Sequence, residues 1–212
     1  MTRVRLCFFI TLKLIIMKSI FLLTGLLLFA TIGLSAQDAR YEIKSGIIKK
    51  SVDRFGTTTE SITYFDDYGK LEATTSSFTW EGTTRRMRNI TKEGKSFSLN
   101  LDDKTYFSPN MRAGTINFLK LTQEAKDTYK IKELGDETIA GKSCKKYSYE
   151  VTFRDNTSTI TVWIWKGITL KSSSSFGDRT FTETATEVQE NASVDATLFA
   201  VPSDFQLQER RF

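Results

Sequence analysis

The sequence predicts a mainly β (α+β) domain, a curved antiparallel sheet or unclosed β-barrel with one helix packed on it. Three observations carry that reading. Turn signals recur about every ten residues after Arg40, and the stretches between them are rich in Thr, Val, Ile and aromatic residues. Phe97, Leu99 and Leu101 alternate with Ser98 and Asn100, which is the period of a strand with one buried face. One segment alone, Thr115 to Lys130, places Phe118, Leu121, Ala125 and Tyr129 at helical spacing, with Gln123, Glu124, Lys126 and Asp127 between them.

The elements follow in order. Tyr41, Ile43, Ile47, Ile48 and Val52 open the first strand. I-T-Y-F at 62–65 leads into D-D-Y-G-K, a turn in which Gly69 can take positive φ. Leu71 to Trp80 returns as a strand, and turns are expected at 81–82, 93–95 and 101–104. After the helix, turns are expected at Gly135-Asp136 and at Ala140-Gly141-Lys142, followed by a long strand to Phe153. The run T-V-W-I-W-K-G-I-T-L-K, 161–171, is apolar on both faces. Lys166-Gly167 divides it into a hairpin of two strands, 159–165 and 169–176. No linker or second domain interrupts residues 37–212.

The net charge of +5 is misleading about this domain. Arg3, Arg5, Lys13 and Lys18 lie in the first 36 residues, which hold no Asp or Glu. Setting those 4 aside from the 30 basic residues leaves 26 against 25 acidic ones. A nearly neutral domain without a basic face gives no reason to expect nucleic acid. Residues 1–36 read as an N-terminal leader. Met17-Lys18, an apolar run and the small-residue end at Ala36 fit a secretory signal peptide, with Met17 as the expected start. Cys144 is the only cysteine after the leader, so no intrachain disulfide is expected there.

Catalytic patterns are scarce. The chain has no histidine, which removes the commonest general base, the commonest zinc ligand and every Ser-His or Cys-His arrangement. A-G-K-S at 140–143 lacks the upstream glycine of a phosphate loop and precedes a strand rather than a helix. Asp66-Asp67 and Asp102-Asp103 are of the type that supplies a calcium ligand or a catalytic carboxylate, but they sit where aspartates build turns, and the turn reading is favoured. Arg85, Arg86 and Arg88 form the densest cationic cluster, either a charged strand face or edge or a contact for a phosphate headgroup or acidic partner. What remains is apolar capacity on a curved sheet. The candidate ligand-binding residues are Phe78, Trp80, Phe97, Leu99, Phe107, Trp163 and Trp165, with core packing as the equal alternative.

Three stretches carry a family resemblance. T-V-W-I-W-K-G-I-T-L-K at 161–171, G-D-E-T-I-A-G-K-S-C-K-K-Y-S-Y-E-V at 135–151 and V-D-A-T-L-F-A-V-P-S-D-F at 194–205 resemble signatures of the periplasmic lipoprotein-carrier superfamily. This Lol-type group includes outer-membrane lipoprotein-sorting-protein-like envelope proteins. The resemblance implies an antiparallel sheet wrapped into an unclosed barrel around helices and an apolar cavity, in the periplasm or cell envelope of a Gram-negative bacterium or secreted from it. Two departures are visible. The family's opening helix is missing, and Trp165 stands where relatives carry Asp. The expectation is a non-enzymatic, monomeric exported protein without metal or cofactor. Its partner would be a lipid or lipoprotein acyl chain held in a concave sheet. The alternative is a structural or interaction module of the envelope with a filled core and a protein partner.

Overall fold

The structure, a computed structural model, describes residues 39–208 except 55, 81, 109–115, 154–155 and 177–178. The leader at 1–36 lies outside the described residues, and residues 37–212 form one compact unit. Its strands are β1 (Gly46–Arg54), β2 (Thr57–Asp66), β3 (Leu71–Trp80), β4 (Thr83–Lys92), β5 (Lys95–Asn100) and β6 (Thr105–Phe107). After the helix α1 (Gln123–Thr128) come β7 (Lys132–Ile139), β8 (Lys142–Phe153), β9 (Asn156–Trp165), β10 (Ile168–Phe176), β11 (Arg179–Glu190) and β12 (Gln206–Leu207).

All twelve belong to one sheet, in the order β12-β6-β5-β4-β3-β2-β1-β11-β10-β9-β8-β7. Two up-and-down meanders, β1–β6 and β7–β11, are joined where β1 pairs antiparallel with β11. The sheet does not close into a barrel, and β7 and the short β12 are its edges. Seven of the eight residues of β7 are exposed, and it carries Lys132, Glu133, Asp136 and Glu137. Charge of that density deters another strand from pairing with the edge.

Both faces are covered. Tyr64 pairs with Ala73 and Phe65 with Glu72, so Phe65 and Ala73 point to opposite sides of the sheet. On the side of Ala73, Ile90 and Leu99 pack under Phe199, from a 3-10 turn at Ala196–Phe199. Phe65 packs edge-on against Tyr41 at 5.1 Å and joins Ile48, Ile168 and Leu170. A third cluster holds Tyr147, Val162 and Ile164 beneath Phe118 and Leu121.

Four sequence expectations change. Tyr41 and Ile43 are not in the first strand. They form a strap whose N–H groups bond outside the ladder, Arg40 and Tyr41 to the Tyr68 carbonyl and Glu42 to that of Lys166. The helix spans only Gln123–Thr128, because Thr122 caps it by accepting from Ala125 N–H, and Asn117 caps a separate 3-10 turn at Phe118–Lys120. Phe118, in that 3-10 turn, and Leu121, just after it, still pack on the sheet. Gly135 makes no turn; at φ +104° it sits in a bulge that β7 passes through unbroken. Finally, β4 lies between β3 and β5, so Arg85, Arg86 and Arg88 do not mark a sheet edge. Arg86 and Arg88 point opposite to Arg85, and Arg86 is held by Asp102 at 2.6 Å.

Candidate functional site

The strand that is apolar on both faces is apolar because both faces are covered. Val162 and Ile164 meet the segment from Phe118 to Ile131. Trp163 and Trp165 face the other way, toward Ile139, Cys144, Ile168 and Leu170. Each tryptophan lies between two lysines and a glutamate. Lys171 and Lys146 stand over the Trp163 ring at 4.3 and 4.8 Å from its centroid, while the indole N–H donates to Glu137 at 2.6 Å. Glu137 in turn meets Lys171 at 3.5 Å and Lys146 at 3.8 Å. Lys142 and Lys166 stand over the Trp165 ring at 4.7 and 4.9 Å, and Glu190 joins them at 2.6 and 3.7 Å. The indole hydrogen bond, then the lysines, hold the Glu137 carboxyl below its usual range. Lys142 and Lys166 do the same for Glu190.

The other predicted site residues are dispersed. Leu99 is fully buried beneath Phe199, and Phe97 packs against Tyr106 at 6.4 Å between ring centroids. Phe78 is half-buried on β3 opposite Arg85, and Phe107 is half-buried at the end of β6. The side chain of Trp80 lies outside the described residues.

A cavity of about 360 Å³ lies on the Val162 side of the sheet. Its floor is Tyr149, Val151, Val162 and Thr169 of β8–β10. Its cover is Ile116, Asn117, Phe118 and Tyr129, and Arg40 and Tyr41 of the strap close one side beside Gly167. The described lining includes none of the seven predicted residues. Local chemistry fixes these walls. Asn117 accepts from the Leu119 and Lys120 N–H groups and donates to the Ala39 carbonyl at 3.1 Å, tying cover to strap. The Glu150 N–H donates to the Tyr129 carbonyl at 2.8 Å, tying cover to floor. Phe118 packs with tilted rings against Tyr147 and Tyr149, at 5.4 and 6.2 Å between centroids. Burial raises the Tyr149 phenol, so it stays neutral. Tyr41 donates to Glu72, and Arg40 stands 3.7 Å from the same carboxylate.

The volume and the aromatic and aliphatic walls match a small-ligand site with a few polar groups at its rim. The sequence signal for it is the double-sided V-W-I-W run, read from the Val162 side rather than the tryptophan side. Reactive groups are not gathered here. The Cys144 thiol lies elsewhere in the core, raised by burial. Asp66 accepts from the Asp67 N–H in its turn, and Asp102 accepts from the Arg86 N–H of β4. Among the described residues no group of three His, Cys, Asp or Glu is placed to hold a metal.

A family model described as Domain of unknown function (DUF4412) matches residues 48–201. Comparison with curated proteins gives no significant match. Among solved structures, the fold is similar to an uncharacterized conserved protein from Thermus thermophilus. The identity is 9% and the TM-score 0.50, covering 77% of this chain and 90% of that one. It is also similar to the Pseudomonas aeruginosa MucA/MucB complex, at 12% identity and TM-score 0.49 over 78% of this chain and 58% of that chain. A third is the Mycobacterium tuberculosis lipoprotein LppX, at 14% identity and TM-score 0.40 over 73% and 91%. The chain spans less than two thirds of the MucB structures it matches. At these identities the likeness is one of fold. The shared architecture is an open antiparallel sheet with helical segments packed on it.

Proposed function

The chain belongs to the DUF4412 family, and on that footing we propose that it is an exported envelope protein which holds the apolar part of a lipid or acyl chain in the cavity beneath Phe118. The observation that carries this is the cavity itself, about 360 Å³ with aromatic and aliphatic walls, at the place where two covering segments leave the sheet unfilled. The leader sequence before Gln37 supports export, and the three carrier-like motifs at 135–151, 161–171 and 194–205 support an envelope setting. The protein acts as a monomer by binding rather than catalysis, a reading supported by the absence of histidine and by the burial of its one cysteine after the leader. Native mass spectrometry of protein purified from its own host tests this. An acyl-bearing adduct should appear in the wild type and be lost in Val151→Trp, which blocks the cavity from its exposed rim. A uniformly ligand-free wild type would refute it.

A second reading, an interaction module working through a protein partner, is favoured by one observation. The faces around Leu99 and Trp163 are filled by the protein's own side chains. In-cell crosslinking that captures one specific envelope protein, with no lipid on the purified chain, would select it.

A further inference from the structure

Among the described residues, six polar side chains line the cavity, and they fall into two groups. Arg40, Tyr41 and Asn117 are engaged within the protein. The Arg40 guanidinium donates to the Gly69 carbonyl at 3.3 Å and stands beside Glu72, the Tyr41 phenol donates to Glu72, and the Asn117 amide ties the cover to the strap. The hydroxyls of Tyr129, Tyr149 and Thr169 have no hydrogen-bond partner among the described residues. They are not sealed in. The one solvent-inaccessible side-chain N or O atom without a partner there is the Ser61 hydroxyl, which is not part of the described lining. A ligand atom entering the cavity can therefore reach all three. Tyr149 and Thr169 belong to the floor and Tyr129 to the cover, so they come from opposite walls. The two phenols lie within electrostatic reach of each other, since burial and then Tyr129 raise the Tyr149 phenol and keep it an O–H donor.

A cavity of about 360 Å³ is at the small end of ligand sites, so any group bound in it lies near these hydroxyls. A carboxylate or phosphate would need a cation, and Arg40, the one charged side chain in the described lining, already shares Glu72. An ammonium would need a carboxylate, and that lining holds none. A plain hydrocarbon would strip water from the hydroxyls and offer no acceptor in return. A carbonyl oxygen accepts from hydroxyls and brings no charge with it. We infer that the cavity selects an uncharged acyl carbonyl, that of an ester or amide, with its chain against Phe118 and Val162 and its oxygen accepting from the Tyr129 and Tyr149 hydroxyls. This deepens the cavity reading above and rests on it.

The test is displacement of a fluorescent dodecanoyl probe from the purified protein at neutral pH. The competitors are methyl decanoate, N-methyldecanamide, decanoate and 1-methoxydecane, matched in chain length and kept below their solubility and micellar limits. The ester or the amide should bind at least tenfold more tightly than decanoate, which is charged, and 1-methoxydecane, which lacks the carbonyl. The tighter of the two names the source of the carbonyl. Tyr129→Phe and Tyr149→Phe should each weaken that ligand about three- to tenfold and leave 1-methoxydecane unchanged. Neither hydroxyl has a protein partner to lose among the described residues, so Tm should hold in both variants and weaker binding cannot be put down to misfolding. Equal or tighter binding of decanoate or 1-methoxydecane, or a carbonyl preference that survives both substitutions, overturns the carbonyl site and leaves the cavity reading standing. Binding of neither the probe nor any competitor overturns both.

Discussion

Trp165 occupies a position where the resembling family carries Asp, and its surroundings explain how a large apolar ring is accommodated there. It rests on the core cluster of Ile139 and Cys144, and Lys142 and Lys166 cover it. Each contact of this type is worth about 0.5–1 kcal/mol at a partly exposed site, so Trp165→Leu should cost roughly 1–2 kcal/mol in urea unfolding. Titration carries a second prediction for these boxes. Glu137 and Glu190 have lowered pKa values when folded, so their contribution is present above the unfolded value of 4.5 and is lost as pH falls through the folded one. The urea midpoint should therefore drop below about pH 4.5, and Glu137→Gln should flatten that drop. Tyr41 shows the opposite sign. Burial, then Glu72, raises its phenol well above the ordinary 10.0, so its contribution is present below pH 10 and lost as pH rises above that. Tyr41→Phe should flatten the alkaline arm of the same curve. Sequence could show that both faces of V-W-I-W are apolar. It could not show that Glu137 and Glu190 complete the boxes, because those partners arrive from other strands.

The β9–β10 hairpin and the strap beside it depend on one glycine. Gly167 has φ +83°, and a Cβ there would collide with the Arg40 carbonyl oxygen, which is backbone and has little room to move. Gly167→Ala should cost about 1–3 kcal/mol or more and loosen the strap, which thermal unfolding together with proteolysis near Arg40 would detect. The turn at Lys166-Gly167 was legible from its residues. The extent of the helix was not. Phe118, Leu121, Ala125 and Tyr129 have the spacing of a single helical stripe, yet Asn117 and Thr122 each cap a separate short piece. Capping residues inside a periodic run outweigh the period, and the resulting irregular backbone is what leaves space over Val162. Gly135 misleads for a similar reason, since a glycine with positive φ serves a bulge as well as a turn.

The sheet was visible as a class in the sequence, through its turns and its alternating residues, and its pairing followed the hairpin order except at the seam and at β12, which lies parallel to β6. The β1–β11 junction that fuses two meanders into one sheet is a contact between distant segments and leaves no local signal. The same holds for the cover that the 194–205 segment lays over Ile90 and Leu99, which makes core of residues expected to touch ligand. Phe199→Ala should accordingly cost about 3–5 kcal/mol by chemical denaturation without changing ligand content. Where 194–205 fills its side of the sheet, the 116–129 segment leaves a cavity on the other. The most direct test is equilibrium titration of a fluorescent dodecanoyl probe into the wild type and Val151→Trp. Saturable binding should weaken at least tenfold in the variant, with Tm unchanged. Equal affinity in the two proteins, or no binding in either, would contradict a ligand cavity beneath Phe118.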